Sequence, residues 1–141
     1  MIVVSTKDPV GIQTEGEYKR FIASFLSHNL QSEVHGFSIG MVVIPPNGKG
    51  EPHKHEIAQE SWYVIEGRAL AIIRDDQMEV GEGDIIYGPE NVDHSFINLD
   101  DKKNFKALLI LSPGGDERNV TDVLLNNGGV LYEPEKRFSK Y

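Results

Sequence analysis

The chain reads as an all-β sandwich or barrel, and three features of its sequence predict this. Ile and Val together number 25 against five Ala. Branched side chains fit the pleated surface of a strand, whereas Ala is the best helix former. Short apolar segments recur at intervals of about 8 to 12 residues with turn residues between them, the pattern of a sandwich or barrel. The 14 Gly and 7 Pro are scattered as punctuation, without a repeat period or a low-complexity tract, as many short strands joined by turns require. A chain of 141 residues has the size of one domain and can bury roughly two-thirds of the surface it exposes when unfolded.

Residues 1–17 read as a polar N-terminal extension ending near Gly16, with an early strand at Ile2-Val3-Val4. In residues 18–27 the apolar positions Phe21, Ile22, Phe25 and Leu26 fit either a helix or a bent strand, and so short a window does not decide between them. Residues 37–44 form a strand stopped by Pro45-Pro46-Asn47-Gly48, which can neither continue a ladder nor easily start a helix. Strands at residues 61–66 and 69–74 flank Gly67, and Asp75-Asp76 turns the chain into residues 77–80. After the turn Gly81-Glu82-Gly83-Asp84 come a strand at Ile85-Ile86-Tyr87 and a loop over residues 88–92. Residues 94–99 and 105–111 are expected to pair antiparallel across residues 100–104. Beyond Pro113-Gly114-Gly115, apolar residues at 120, 123 and 124 followed by Asn-Gly predict one short C-terminal helix over residues 120–127. The barrel core is thus expected over about residues 18–112, with a tail from 113 to 141 and no linker to a second domain.

Fourteen Lys and Arg against 22 Asp and Glu give a net charge of −8. That balance lacks the electrostatic footprint of a nucleic-acid binder and is unfavourable at an anionic membrane surface. With no cysteine, a disulfide framework, a thiolate nucleophile and Cys-based zinc or iron–sulfur sites are excluded. No basic segment followed by a long apolar stretch opens the sequence, and the longest apolar runs, residues 69–73 and 107–111, are five residues. The expectation is a cytoplasmic chain without a membrane span.

The informative stretch is Pro52-His53-Lys54-His55-Glu56-Ile57-Ala58-Gln59-Glu60. In a strand, residues two apart point to the same face, so His53 and His55 project side by side. A loop would let Glu60, at the start of the next apolar strand, fold back beside them. His94 opens a further alternating strand with Phe96 and Asn98. Three imidazoles and one carboxylate inside a barrel can surround a divalent first-row metal and leave positions open to water or substrate. Taken alone an H-x-H pair also fits surface or core histidines, and His28 and His35, in a polar stretch, read as solvated loop residues.

The Gly and Pro punctuation around these residues resembles that of the cupin superfamily, small β-barrels carrying two motifs. The first is matched by His53-x-His55, four residues, Glu60, six residues and Gly67. The second is matched by Gly83, five residues, Pro89-x-Asn91, two residues, His94, three residues and Asn98, with 15 residues between Gly67 and Gly83. Asn91 stands where glycine is usual, and Asn47 stands where glycine is expected six positions before His53. A left-handed turn tolerates Asn next best after Gly. The resemblance implies a double-stranded β-helix, the jelly-roll barrel, in which His53, His55, Glu60 and His94 bind one divalent transition metal: iron, manganese, nickel, copper or zinc. It also implies a homodimer formed through an edge strand with N-terminal residues crossing over, and the apolar run 107–111 is compatible with that.

Strand parity nominates the pocket. Glu60 pointing inward takes Trp62 and Val64 with it, and His94 takes Phe96 and Asn98. Met41 or Val43, Tyr87, Leu109 and Leu111 are expected to complete an apolar lining. Trp62, Phe96 and Met41 fit ordinary barrel core as well. Tyr87 and Arg68 are the candidates for an additional acid or base, and each also fits a surface role. The expected activity is metal-dependent chemistry on a small organic molecule with an oxygen donor, by a dioxygenase or by a Lewis-acid lyase, isomerase or cyclase. A non-catalytic barrel that binds or senses a small ligand is the alternative.

Overall fold

The computed structural model describes residues 1–7, 9–116, 122, 125, 126 and 128–132. Among these, ten strands follow one another: β1 Val10–Gln13, β2 Phe21–Leu26, β3 Ser38–Ile44, β4 Gln59–Glu66, β5 Arg68–Ile73, β6 Asp76–Gly81, β7 Ile85–Gly88, β8 His94–Asn98, β9 Phe105–Ser112 and β10 Val130–Tyr132. A 3-10 turn at Gly16–Tyr18 separates β1 from β2. Seven strands form one sheet in the order β10-β1-β2-β3-β9-β4-β7, and three form a second in the order β6-β5-β8. Each strand pair is antiparallel. This all-β arrangement, almost without helix, is consistent with the expected double-stranded β-helix.

The two sheets meet through alternate residues, because side chains along a strand point to opposite faces. Val42, Ile44, Trp62, Val64, Phe105 and Ala107 from the larger sheet pack against Ala69, Ala71, Val80 and Phe96 from the smaller. Phe105 is fully buried, and burying a side chain of that size contributes roughly 2–3 kcal/mol. The chain changes sheets at Gly67, whose φ is 80° and where a Cβ would stand 2.5 Å from the carbonyl oxygen of Asn104. Only glycine meets both demands.

Beyond β8, residues 48–53 run alongside that strand without joining the named sheet. Isolated bridges join Lys49 to Ile97 and His53 to His94. The Gly50 N–H donates to Phe96 at 2.8 Å, and the Asn98 N–H to Gly48 at 2.9 Å. This irregular strand brings the first histidine motif to the second.

Several sequence expectations are corrected. Residues 2–4 form no strand; the pairing N-terminal segment is β1, which lies against β2 and β10. The ambiguous segment is a strand, β2, because it pairs with β1 and β3 on its two edges. The β5–β6 hairpin turns at Arg74-Asp75, one residue earlier than expected, with Arg74 at φ 55°. Strands β8 and β9 do not pair. They lie in opposite sheets, β8 against β5 and β9 between β3 and β4. The apolar run 107–111 is therefore an interior strand rather than an edge, with apolar neighbours on both faces. The helix expected over residues 120–127 falls for the most part outside the described residues. No helix of the described residues is long and apolar enough to cross a membrane.

Candidate metal centre

The histidine bridge fixes two of the candidate ligands. His53 N–H donates to the His94 carbonyl at 3.2 Å, and His94 N–H returns the bond at 2.9 Å. Their rings consequently stand face to edge, 4.6 Å between centroids. A carbonyl only accepts, and this sets the protons: Nδ1 of His53 lies 2.9 Å from the Glu51 carbonyl, and Nδ1 of His94 lies 3.1 Å from that of Val92. Each ring carries its proton on Nδ1 and keeps the Nε2 lone pair for a ligand. The carbonyl of His55 accepts from the Asn91 N–H at 2.7 Å. Asn91 itself has φ 56°, as does Asn47, so both residues that replace an expected glycine occupy the left-handed region.

Glu60 enters from β4. Its Oε2 lies 3.0 Å from His94 Nε2 and 3.2 Å from His55 Nε2. Two ligands each about 2.1 Å from one metal, at 90 to 109°, stand about 3.0 to 3.4 Å apart. The observed separations are those of neighbouring positions in one coordination shell. One nitrogen or oxygen from each of His53, His55, Glu60 and His94 falls within 4.8 Å of the others, so the group can hold a metal ion. Neither Glu60 Oε2 nor His94 Nε2 makes a hydrogen bond among the described residues, though both are buried. Buried polar atoms without partners are costly, and a cation at their meeting point removes that cost.

The protonation states suit ligation. Burial raises the Glu60 carboxyl, but in the metal-free chain His55 and His94, with their facing nitrogens protonated, outweigh this and bring its pKa from 4.5 to about 2. Burial, reinforced by the neighbouring His94, lowers half-buried His53 from 6.5 to about 4. The carboxylate is therefore charged and His53 neutral at pH 7, the forms a metal binds.

Asp116 supports the site from behind. Its Oδ2 accepts the N–H groups of Ile57 and Ala58 at 3.1 and 3.2 Å and stands 3.9 Å from His55 Nδ1. It anchors the turn between His55 and Glu60 and places a negative charge beside the ring. No sequence motif marks Asp116, which lies 58 residues from the turn that it holds.

The four ligand candidates open onto a cavity of about 70 Å³ that also reaches Arg20, Glu51, Trp62, Phe96, Leu109 and Leu111. Trp62 packs edge-on against His94 with centroids 4.8 Å apart, and Phe96 against Trp62 at 5.2 Å. Of the pocket candidates, Trp62 and Phe96 line the cavity, while Met41, Tyr87 and Asn98 do not. Met41 points to the other face of β3 and packs with Ala23 and Phe25; Val42 and Ile44 take the inward parity. Tyr87 points outward, 55% exposed, and its hydroxyl donates to Gln59 at 3.1 Å. The inward residues of β7 are Ile86 and Gly88, opposite Trp62 and Glu60. Buried Asn98 is a structural stitch. Its Nδ2 lies about 3 Å from the carbonyls of Ile44, Pro45 and Lys103, and its Oδ1 accepts from Asp100. Arg68 is on the surface, paired with Glu79 at 2.9 Å.

A two-sheet antiparallel barrel with three imidazoles and a carboxylate converging inside it belongs to a class of candidate metal-binding barrels. Residues 40–111, half of the chain, match the family model described as a cupin domain, and the chain belongs to the cupin family. Over 62 residues it is 34% identical to the uncharacterized protein MJ1618 of Methanocaldococcus jannaschii, a match covering 44% of this chain and 50% of that protein. The chain thus matches about half the length of this curated relative. Among solved structures it is similar to a predicted oxalate decarboxylase of Thermotoga maritima, with TM-score 0.69, 17% identity and coverage of 79% of this chain and 99% of the other. It is also similar to the polyketide cyclase RemF of Streptomyces resistomycificus, with TM-score 0.66, 22% identity and 79% of each chain covered. At these identities the likeness is one of fold.

Proposed function

We propose that the chain is a metal-dependent enzyme that acts on a small organic molecule whose oxygen donor binds a divalent metal held by His53, His55, Glu60 and His94. The observation that carries this is the approach of Glu60 Oε2 to two imidazole nitrogens at 3.0 and 3.2 Å, beside an apolar cavity. A bound divalent ion supplies Lewis acidity, polarising a substrate oxygen and stabilising negative charge that develops on it. The chain's own residues prepare that chemistry. Carbonyls 51 and 92 orient two rings, Asp116 braces the turn after His55, and Trp62, Phe96 and Leu109 keep bulk water away. The test is a panel of small acids and sugars offered to the iron, manganese, nickel and zinc forms, following both product and oxygen uptake. Turnover abolished in Glu60→Gln supports the enzyme and, by its oxygen dependence, separates an oxygenase from a lyase, isomerase or cyclase. Saturable binding without turnover in every metal form overturns it in favour of a binding or sensing barrel.

We also propose that the chain pairs with itself. Met1 and Val3 at the N-terminus are exposed, and Tyr63, Ile65, Ile85, Tyr87 and Ile110 form an apolar outer face on the β4, β7 and β9 side of the larger sheet. Exposed contiguous apolar surface of this kind favours association. Light scattering at micromolar concentration should give twice the chain mass, and a monomer mass contradicts the pairing.

A further inference from the structure

We propose that Arg20 is a specificity-determining residue that receives a carboxylate, making the substrate class small carboxylic acids. This deepens the reading of the metal site given above and rests on it. The Arg20 side chain is 3% exposed and lines the same cavity as the four ligand candidates. Its direction is set by the main chain: the Arg20 N–H donates to Thr14 Oγ1 at 3.0 Å, and its carbonyl accepts the Thr14 N–H at 2.9 Å. Immediately before β2, those bonds hold the side chain toward the interior.

The fork is not satisfied there. Its Nη2 lies 3.8 Å from Glu51 Oε2, within ion-pair reach but too far for a hydrogen bond. Its Nη1 is buried and has no hydrogen-bond partner among the described residues. An arginine presents five donors in one plane, and a buried one without partners is destabilising. Burial lowers its pKa, and Glu51 only partly opposes this. Glu51 is 38% exposed, so water screens its charge. A planar carboxylate complements the fork with two parallel bonds.

Charge and size point the same way. Among the residues that line the cavity, a divalent ion would balance Glu51 and Glu60 and leave the Arg20 charge facing an incoming anion, with Asp116 outside the lining behind His55. Its volume of about 70 Å³ suits a small molecule. The ligand that fits is an acid of a few carbons with an oxygen for the metal and a carboxylate for Arg20.

The experiment titrates metal-loaded protein with glycolate and with malonate, each against its neutral amide, by calorimetry, with elemental analysis of every sample. Wild type should bind the acids at least tenfold more tightly than the amides. Arg20→Gln should weaken acid binding about 30-fold, the value of a charge-assisted pair, with metal content unchanged. Arg20→Lys should recover part of the loss, and Glu51→Gln should bind the acids as tightly as wild type or more so. Equal affinity for acid and amide in wild type, or undiminished acid binding in Arg20→Gln, overturns the proposal. The wild-type comparison and the Lys variant keep it falsifiable if Arg20→Gln does not fold. Wild-type protein that holds no metal yet binds acid through Arg20 would refute the metal reading and leave this one standing.

Discussion

Replacing Asp116 tests whether the turn between His55 and Glu60 is held for the sake of the metal. Its Oδ2 accepts two backbone N–H groups at 3.1 and 3.2 Å and faces His55 Nδ1 at 3.9 Å, with the residue 5% exposed. At that separation a full charge on the ring would be stabilised by about 4 kcal/mol at an effective dielectric of about 20. A neutral ring that shares the charge of a bound cation gains a fraction of this. Loss of such a supporting carboxylate typically costs 10- to 100-fold in metal affinity, about 1.4 to 2.7 kcal/mol. Asp116→Asn keeps an acceptor for the turn and removes the charge, so its metal affinity should fall about tenfold with little loss of stability. Asp116→Ala removes both and should approach 100-fold, with the metal-free protein destabilised by about 1–3 kcal/mol. Competition with a fluorescent chelator gives the affinities, and urea denaturation gives the stability. Unchanged metal affinity in both variants would refute the argument. A loss confined to the Ala variant would show that the turn, and not the charge, matters.

Three further outcomes follow from the same geometry. Phe105→Ala should cost about 3–5 kcal/mol in urea denaturation, because the ring is fully buried against Phe96 at 5.3 Å between centroids; a loss below about 1 kcal/mol would contradict the assigned core. Gly88→Ala should destabilise by about 1–3 kcal/mol and shift tryptophan emission, since a Cβ there would stand 2.8 Å from the Trp62 ring; unaltered emission would contradict that contact. In metal-free protein, His53 at about 4 against 6.5 and Glu60 at about 2 against 4.5 both bind protons more weakly when folded. Their contribution is complete above pH 6.5 and is lost as pH falls, first through the His53 window and then through that of Glu60. Urea midpoints that rise on acidification from pH 7 to 4 would refute this.

The ligand set was legible because it is a local pattern. His53 and His55 share a parity, Glu60 follows across one short turn, and His94 opens a strand; the asparagines at 47 and 91 marked left-handed turns that the backbone bears out. Pocket parity was not legible in β3 because residues of both parities are buried: Val42 and Ile44 join the cluster shared with the smaller sheet, and Met41 packs with Ala23 and Phe25 on the other face. Such a strand is apolar throughout and hides which residues point inward. The pairing of residues 94–99 with 105–111 failed for a related reason. A short connection suggests a hairpin, whereas a corner stabilised by Asn98 sends β9 to the other sheet. Arg20 and Asp116 carry no motif at all. Their roles exist only once β2 and the segment after β9 are brought beside residues 51–60.

The most direct test of the account is metal content. Protein expressed with its native sequence and freed of loosely bound ions should retain one divalent transition metal per chain by elemental analysis, and His94→Ala, folded by circular dichroism, should retain none. A wild-type chain without stoichiometric metal, or a His94→Ala variant with unchanged stoichiometry, would contradict the assignment of His53, His55, Glu60 and His94 as one centre.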